Sequence, residues 1–265
     1  MTKTKMNTLL ATTAVLALSA CGGSGDGSAT NPTVSFTAVK AFSDVAGVAR
    51  GVASDGSRSV VISPDIAEVV SSANSTTQQQ IDGINASDFP IVQELSTNAN
   101  LREGALSFDA FPGVVMNVLA IEDLGSDSAV VLLSIPTYGN AVIASGTPLT
   151  NIPSGNFTYS GTLGTGFRSV NPQIEYGSFL LTANFNNGTF TFDGSSLSDE
   201  LSGSGNVNLV NGDLSSNNIT MITSGTNRTA SMYGQFHGNG ATGVSGVFHS
   251  NEASPVYSGA FVGSR

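Results

Sequence analysis

Two histidines, His237 and His249, are the only imidazole side chains in the chain, and both lie in one glycine-rich stretch, FHGNGATGVSGVFHS, residues 236–250. Neutral imidazole nitrogens are common metal ligands. A metal site would require both rings to reach one coordination sphere. The first question is therefore whether the local structure can bring the two rings together.

Strand pairing argues against a metal site. If a turn lies near residues 239–240, antiparallel pairing places His237 opposite about Thr242 and His249 opposite about Ala230. The two rings would then be roughly 20–25 Å apart, given the rise of a strand. We therefore expect two ordinary surface histidines and no metal site in this stretch.

Other catalytic motifs are also missing from the sequence. There is no G-x-S-x-G segment, and the glycine-rich run 161–166 follows a predicted strand without opening a helix, as a phosphate-binding loop would require. A paired-carboxylate hydrolase stays open, because carboxylates are present but their spacing in the fold is unknown. The sequence predicts no cofactor and no enzymatic activity.

The charge balance bears on possible partners. Asp and Glu number 19 against 9 Lys and Arg, and charged residues make up only 11% of the chain. No basic stripe could neutralise phosphates, so nucleic acid is not an expected partner.

The N-terminus has the pattern of a secretory signal peptide at residues 1–20. Lys3 and Lys5 precede a short apolar run, and the segment ends in Leu18, Ser19, Ala20 and Cys21. These four residues resemble the lipobox of bacterial lipoproteins, in which the cysteine carries the lipid. The alternative is an ordinary signal peptide that contains a chance cysteine.

The lipobox resemblance has consequences for location. Gly22, rather than Asp, follows the cysteine, and among lipoproteins this implies the outer membrane. Acyl chains such as palmitate on Cys21 would anchor the protein stably. Residues 21–32 are rich in Gly and Ser and predict a flexible tether. Because Cys21 is the only cysteine, no intrachain disulfide can form.

Residues 33–150 predict a first domain that is either α+β or mostly β. The most apolar runs, 114–122 and 129–136, are expected to be core strands. Residues 91–100, preceded by Pro90, are the best helix candidate.

Residues 151–265 predict a more regular second domain. Alternating apolar and polar residues separated by turn signals indicate eight antiparallel strands. They cover about 155–161, 178–185, 189–193, 203–210, 217–222, 228–237, 242–250 and 256–263. Eight such strands favour a closed up-and-down β-barrel, because closure leaves no free edge.

The two faces of these strands differ in composition. One face carries aromatic residues and glycines, expected to fill a small barrel; Phe236, Val244 and Phe248 would point inward, with space left at Gly246. The other face carries mostly Ser, Thr, Asn and Asp. A membrane-spanning barrel would need an apolar outer band, so we disfavour that alternative.

Three segments of the second domain resemble motifs of transferrin-binding protein B and related surface lipoproteins. Residues 236–248 are similar to the family's F-Y-G-x-x-A-x-E-x-G-G-x-F signature, and residues 152–161 to its P-x-G-x-x-x-Y-x-G strand that enters the barrel. Residues 259–265 are similar to its G-x-F-x-G-x-K/R ending. Two departures are His237 in place of tyrosine and Gly243 in place of glutamate. The resemblance implies one handle domain followed by one barrel.

This resemblance also implies a function. It predicts a non-enzymatic lipoprotein of the outer membrane, facing the cell exterior, that binds a protein or solute ligand, for example to acquire metal or haem. A transporter or export protein of the outer membrane is an expected partner. The alternatives are a structural or adhesive lipoprotein without a specific ligand and a periplasmic hydrolase.

The longest predicted barrel connection, residues 162–177, is the candidate binding segment. It contains Phe167, Arg168 and Tyr176, and Arg and Tyr are frequent at binding hot spots. The alternative is that Phe167 and Tyr176 cap the barrel core while Arg168 is solvated.

Overall fold

A computed structural model describes residues 39–41, 49–53, 58–62, 86–107, 113–126, 128–135, 139–167, 174–252 and 257–265. The signal peptide, the lipobox residues Leu18 to Cys21 and the tether lie outside these ranges, so the predictions about them stand as made. In the part of the chain that the structure describes, no helix has the length and apolar character needed to span a bilayer.

The first half of the described chain is one antiparallel sheet of eight strands. The strands are β1 (Val39–Ala41), β2 (Ala49–Ala53), β3 (Arg58–Ile62), β4 (Ile91–Ser96), β5 (Ala99–Ser107), β6 (Val115–Asp123), β7 (Ser128–Ile135) and β8 (Gly139–Gly146). Their order is β1-β2-β3-β8-β7-β6-β5-β4. A single 3₁₀ turn at Ala86–Asp88 is the helical element of the described residues. The mostly-β alternative for this domain is therefore correct.

The helix predicted at residues 91–100 is wrong. Strand β4 turns directly into β5, with Ser96 paired to Ala99. The backbone N–H of Asn98 donates to Ser96 Oγ at 3.2 Å, which supports the turn. The spacing of the apolar residues in β4 is also compatible with one face of a helix. The short Ser-Thr-Asn turn and the pairing with β5, a strand of nine residues, favour the hairpin instead.

The second half is a closed barrel of eight antiparallel strands, which confirms the predicted fold class. The strands are β9 (Asn156–Phe167), β10 (Glu175–Asn184), β11 (Thr189–Ser195), β12 (Asp199–Val207), β13 (Asp213–Thr223), β14 (Thr226–His237), β15 (Gly243–Ser250) and β16 (Ser258–Ser264). Each strand pairs with the next along the chain, and β16 pairs with β9 to close the barrel. All the described sheet strands lie within the predicted domain 33–150, and all the barrel strands lie within 151–265.

The interior of the barrel is filled by apolar side chains. Tyr159, Phe190, Phe236, Phe248 and Phe261 are among its largest fully buried side chains. Several phenylalanines lie opposite glycines of the neighbouring strand, as Phe261 does to Gly246 and Phe248 to Gly259. A Cβ atom at either glycine would overlap the phenylalanine ring. The predicted packing of aromatic residues against glycines is therefore confirmed.

The outer side of the barrel has two different regions. The exposed wall, strands β10–β13, carries largely exposed residues between buried ones, as in the alternating pattern of β11. The junction wall, strands β14–β16, is buried on both sides over β15 and nearly all of β16. The predicted polar outer face is therefore correct for the exposed wall and wrong for the junction wall.

The junction wall is buried because the sheet packs against it. Val247, Ala260 and Val262 point outward from the barrel and form one apolar cluster with side chains of the sheet, among them Val61, Leu101, Ile121, Val130, Leu132, Val142 and Ala144. We call this contact the junction. It makes the sheet and the barrel parts of one compact unit. Burial of a valine side chain contributes about 1.5–3 kcal/mol.

Candidate functional site at the loop end of the barrel

The strand directions define two ends of the barrel. At the linker end lie the start of β9, the turns at residues 185–188, 208–212 and 238–242, and the C-terminus. At the loop end lie the turns at 196–198 and 224–225 and the connections after Phe167 and Ser250. Binding residues often lie on loops that a rigid scaffold positions, and the loop end has this arrangement.

The predicted binding segment 162–177 is mostly strand, so its description as a long loop is wrong. Strand β9 continues to Phe167 and β10 begins at Glu175. Alternating glycines and small polar residues resemble a loop in sequence, but here they pair with the neighbouring strands β10 and β16.

The three residues predicted to bind a partner have different positions. Tyr176 lies on β10 opposite Gly164 and packs, half-buried, against the junction cluster. Burial, with a smaller contribution from Glu103, raises the pKa of Tyr176 to about 12. Phe167 ends β9, with its backbone opposite Ser258. Arg168 lies outside the described residues, so the role of this set stays a prediction.

The turn between β11 and β12 presents an exposed leucine. Leu197 is 90% exposed, flanked by Ser196 and Ser198. Glu175, at the start of β10, accepts hydrogen bonds from the Ser198 backbone N–H at 2.8 Å, the Ser198 hydroxyl at 2.9 Å and the Ser196 hydroxyl at 3.2 Å. Charge-assisted bonds of this kind are stronger than neutral ones. Glu175 thus fixes a turn whose apolar tip has no covering side chain.

The connection between β15 and β16 is fastened at its base. Arg228 forms an ion pair with Glu252, and its guanidinium lies 4.3 Å from the centroid of the Tyr257 ring. The Tyr257 backbone N–H donates to Ser250 Oγ at 3.0 Å, and the Asn251 N–H donates to the Thr229 carbonyl at 2.8 Å. These contacts hold the two ends of the connection against β14.

Polar side chains close the barrel interior beneath these turns. Asp199 and Thr223 are register partners on β12 and β13, and both are buried. Buried Thr165 shares a 3.0 Å hydroxyl contact with Ser196, which links this layer to the turn that carries Leu197. The aromatic core therefore ends in a polar layer before the loop end is reached.

Sequence reasoning missed Leu197 and Glu175. A leucine between two serines in a predicted turn is a signal that could have indicated an exposed apolar tip. The role of Glu175 could not be read from the sequence, because its hydrogen-bond partners lie 21 to 23 positions away.

The two histidines are not surface residues, which corrects that prediction. His237 lies opposite Gly243 at the linker end, and His249 lies opposite Ser231 towards the loop end, so their predicted separation along the hairpin is confirmed to within one residue. Both side chains are fully buried on the outer side of the junction wall. No group of three or more His, Cys, Asp or Glu side chains in the described ranges could hold a metal ion.

His237 lies in the junction itself. Its Nε2 is 2.6 Å from Ser245 Oγ, and its ring packs on Gly146 of β8, where a Cβ atom would lie 2.5 Å from the ring Cγ. Its Nδ1 is buried without a hydrogen-bond partner. Burial lowers the pKa of His237 to about 4, with the Thr147 backbone acting weakly in the opposite direction.

A carboxylate lies on the sheet side of the junction. Asp123, at the end of β6, accepts a hydrogen bond from the Ser126 hydroxyl, and Ser126 fills the space above Gly243 of the barrel. Burial raises the pKa of Asp123, while bonds from Ser126 and Ser264 oppose that shift.

Comparison with known proteins finds similar structures but no similar sequence among families or curated proteins. No family model matches the sequence, and no curated protein matches it. Among solved structures, the fold is similar to that of the haemoglobin receptor HpuA from Kingella denitrificans, at 14% identity and a TM-score of 0.40, covering 68% of this chain and 92% of that one.

Two transferrin-binding protein B structures are also similar. That from serogroup B Neisseria meningitidis has 14% identity and a TM-score of 0.45, with 70% of this chain and 38% of that chain covered. A double mutant from Haemophilus parasuis Hp5 has 13% identity and a TM-score of 0.48, with 82% and 50% covered. This chain thus spans half or less of these two proteins, which bear the family name that the sequence motifs indicated.

Proposed function

We propose that this chain is a lipid-anchored protein of the bacterial outer membrane, exposed to the cell exterior, that binds a protein ligand through the loop end of its barrel. The observation that carries the proposal is the combination of a filled barrel and a fixed, exposed loop end. Phe190, Phe236 and Phe261 occupy the interior, where a solute-binding barrel would keep a cavity.

The loop end offers contacts suited to a protein surface. Leu197 can enter an apolar pocket on a partner with little loss of conformational entropy, because Glu175 already fixes its turn. The stacked Arg228 and Tyr257 nearby are residue types enriched at binding hot spots. Phe167, whose backbone ends β9 at the same end, and Arg168, the next residue in the sequence, stay part of the proposed surface.

Binding can be tested by cross-linking on intact cells with a Leu197→Asp variant. We expect the charge to abolish the ligand cross-link while the protein stays folded. The matched control is Val210→Asp, because Val210 is 91% exposed at the opposite, linker end. Loss of the cross-link in Val210→Asp but not in Leu197→Asp would contradict the proposed site. Purified transferrin and haemoglobin are suitable first ligands for a parallel binding assay.

Anchoring is tested separately with Cys21→Ser. We expect this variant to lose fatty-acid labelling and to leave the membrane fraction, because no other cysteine can carry the lipid. Protease treatment of intact cells then tests exposure: the wild-type protein should be degraded without cell lysis. Retention of label in Cys21→Ser would contradict the lipid anchor but leave the binding surface untouched.

A further inference from the structure

The junction contains a buried imidazole whose surroundings favour its neutral form. His237 on β14 is enclosed between Gly146 of β8 and Ser245 of β15. Ser245 Oγ is a partner for Nε2, whereas Nδ1 has none. The nearby Thr147 carbonyl accepts a hydrogen bond from the Gly238 N–H at 3.0 Å, and its interaction with the imidazole offsets only part of the effect of burial on the His237 pKa. A proton added at Nδ1 would therefore create a cation in an apolar contact with no anion bonded to it.

Among the residues that the structure describes, the carboxylates on the elements next to His237 do not provide that anion. On the sheet side, the carboxylate of Asp123 is occupied by Ser126, which separates it from the barrel strand β15. On the barrel side, Asp213 is the register partner of Gln235 and is bonded to Asn211. Burial raises the pKa of both carboxyls, so acid neutralises them as well.

The arginines on the neighbouring elements are themselves cations and cannot neutralise an imidazolium at His237. On β3, the backbone of Arg58 pairs with that of Ser145. On β2, the backbone of Arg50 pairs with that of Val61. The C-terminal Arg265 stacks over Phe157 at 3.9 Å and donates to the Gly240 carbonyl. Adding an imidazolium would increase the positive charge on these elements.

We propose that the junction is acid-sensitive: protonation of His237 at Nδ1 by solvent loosens the β14–β15 hairpin of the barrel from β8 of the sheet. The hairpin is held there by the neutral imidazole on Gly146 and by Val247 of the apolar cluster. When the contact opens, water reaches the imidazolium and solvates its charge. The barrel closure does not depend on this contact, because its strands pair with one another.

The sign and range of the effect follow from linkage. In the open form the pKa of His237 returns to about 6.5, the ordinary value of a solvated imidazole, whereas in the closed form burial lowers it to about 4. At pH 7 the closed form is neutral and the open form is largely neutral, so the closed junction keeps nearly its full stability. As the pH falls from 6.5 towards 4, only the open form takes up a proton, so the open-to-closed ratio rises on the order of 10²-fold. Burial raises the pKa of Asp123 and Asp213, so their protonation favours the closed form as the pH falls. These two carboxyls therefore reduce the factor.

The test is hydrogen–deuterium exchange of the full chain in mild detergent between pH 7.5 and 4.5, corrected for intrinsic exchange rates. We expect β8 and the β14–β15 hairpin to lose protection as the pH falls, while β10–β12 keep theirs. His237→Gln should remove the acid dependence. His249→Gln is the matched control, because His249 is equally buried on the same hairpin but near the other end, and it should keep the acid dependence.

A second measurement does not depend on the variants being folded. The ring protons of the two histidines in the wild-type protein can be followed by NMR during acidification. We expect the His237 signal to titrate well below pH 6, together with loss of the junction. Titration near pH 6.5 with an intact junction would overturn the proposal, as would unchanged protection of β8 down to pH 4.5.

Discussion

The exposed wall and the junction wall belong to the same barrel but differ in the burial of their outward-facing side chains. On β11, buried Phe190 and Phe192 alternate with exposed threonines, so the burial pattern has the period of two expected for a strand with one wet face. On β15, every residue from Gly243 to Ser250 is buried. The difference teaches that alternation of residue type shows which face points inward, but not whether the outward face meets water or protein.

The largest expected effect concerns what both walls share, the aromatic interior. Phe261 is fully buried and lies 5.2 Å from Phe179 and 5.0 Å from Phe192, between ring centroids. Phe261→Ala should lower the free energy of unfolding by about 3–5 kcal/mol, because it leaves a cavity. Leu180→Ala on the exposed wall, half-exposed, should cost less than about 1 kcal/mol. Urea denaturation measures both, and equal losses would contradict the comparison.

The next effect separates the two outer faces. Val247→Thr keeps the shape of a fully buried junction residue but adds a hydroxyl without a partner, so it should cost about 2 kcal/mol. The reverse change on the exposed wall, Thr220→Val, should stay within about 0.5 kcal/mol. Differential scanning calorimetry would show a clear fall of Tm for the first variant alone. A neutral Val247→Thr would mean that this outward face is wet.

A smaller effect is expected where the sheet meets His237. Gly146→Ala places a Cβ atom against the imidazole ring, and we expect a net loss of about 1 kcal/mol after the gain from a less flexible unfolded chain. The loss should disappear when the same change is made in a His237→Ala background, which a double-mutant cycle measures. An equal loss in both backgrounds would show that the ring is not the obstacle.

The smallest effect concerns the pH dependence of the sheet side. Because burial raises the pKa of Asp123, the folded protein takes up this proton before the unfolded chain does. The wild-type protein therefore gains stability from Asp123 as the pH falls towards 3.8, the ordinary pKa of an aspartate, whereas Asp123→Asn does not. Urea denaturation at several pH values should show that the free energy of unfolding of wild type, minus that of the variant, becomes more positive in acid. A value that becomes more negative would contradict the assigned direction.

The barrel was the part of the fold that the sequence predicted best. Its strands alternate, and turns such as Asn187-Gly188 separate them; Gly188, Gly238 and Gly240 all adopt positive φ angles, which glycine tolerates best. The helix prediction at residues 91–100 failed because apolar spacing in a six-residue strand is compatible with both periods. Pairing with β5, a tertiary contact, decides the outcome.

The candidate site was less predictable than the fold. Ser245 and His249 are polar and were expected to face water, but both are buried. Nothing local in the sequence shows that the sheet packs on this wall, because the strands of the sheet lie about a hundred or more residues earlier. At the loop end, Glu175 and Ser198 meet only after β10 and β12 are aligned within the barrel.

The pairing of β9 with β16 has a consequence for how the protein is made. Strand β9, the first of the barrel, reaches its second partner only when β16, the last strand, is present. Strand β16 has seven residues and ends at Ser264. Such long-range pairing is slow in folding, and until it forms the barrel has two open strand edges that can pair with other chains. The barrel therefore cannot close before β16 has been made and is free to pair. A holding chaperone that covers unpaired edges would therefore raise the yield, and deleting β16 should produce aggregation rather than a smaller folded barrel.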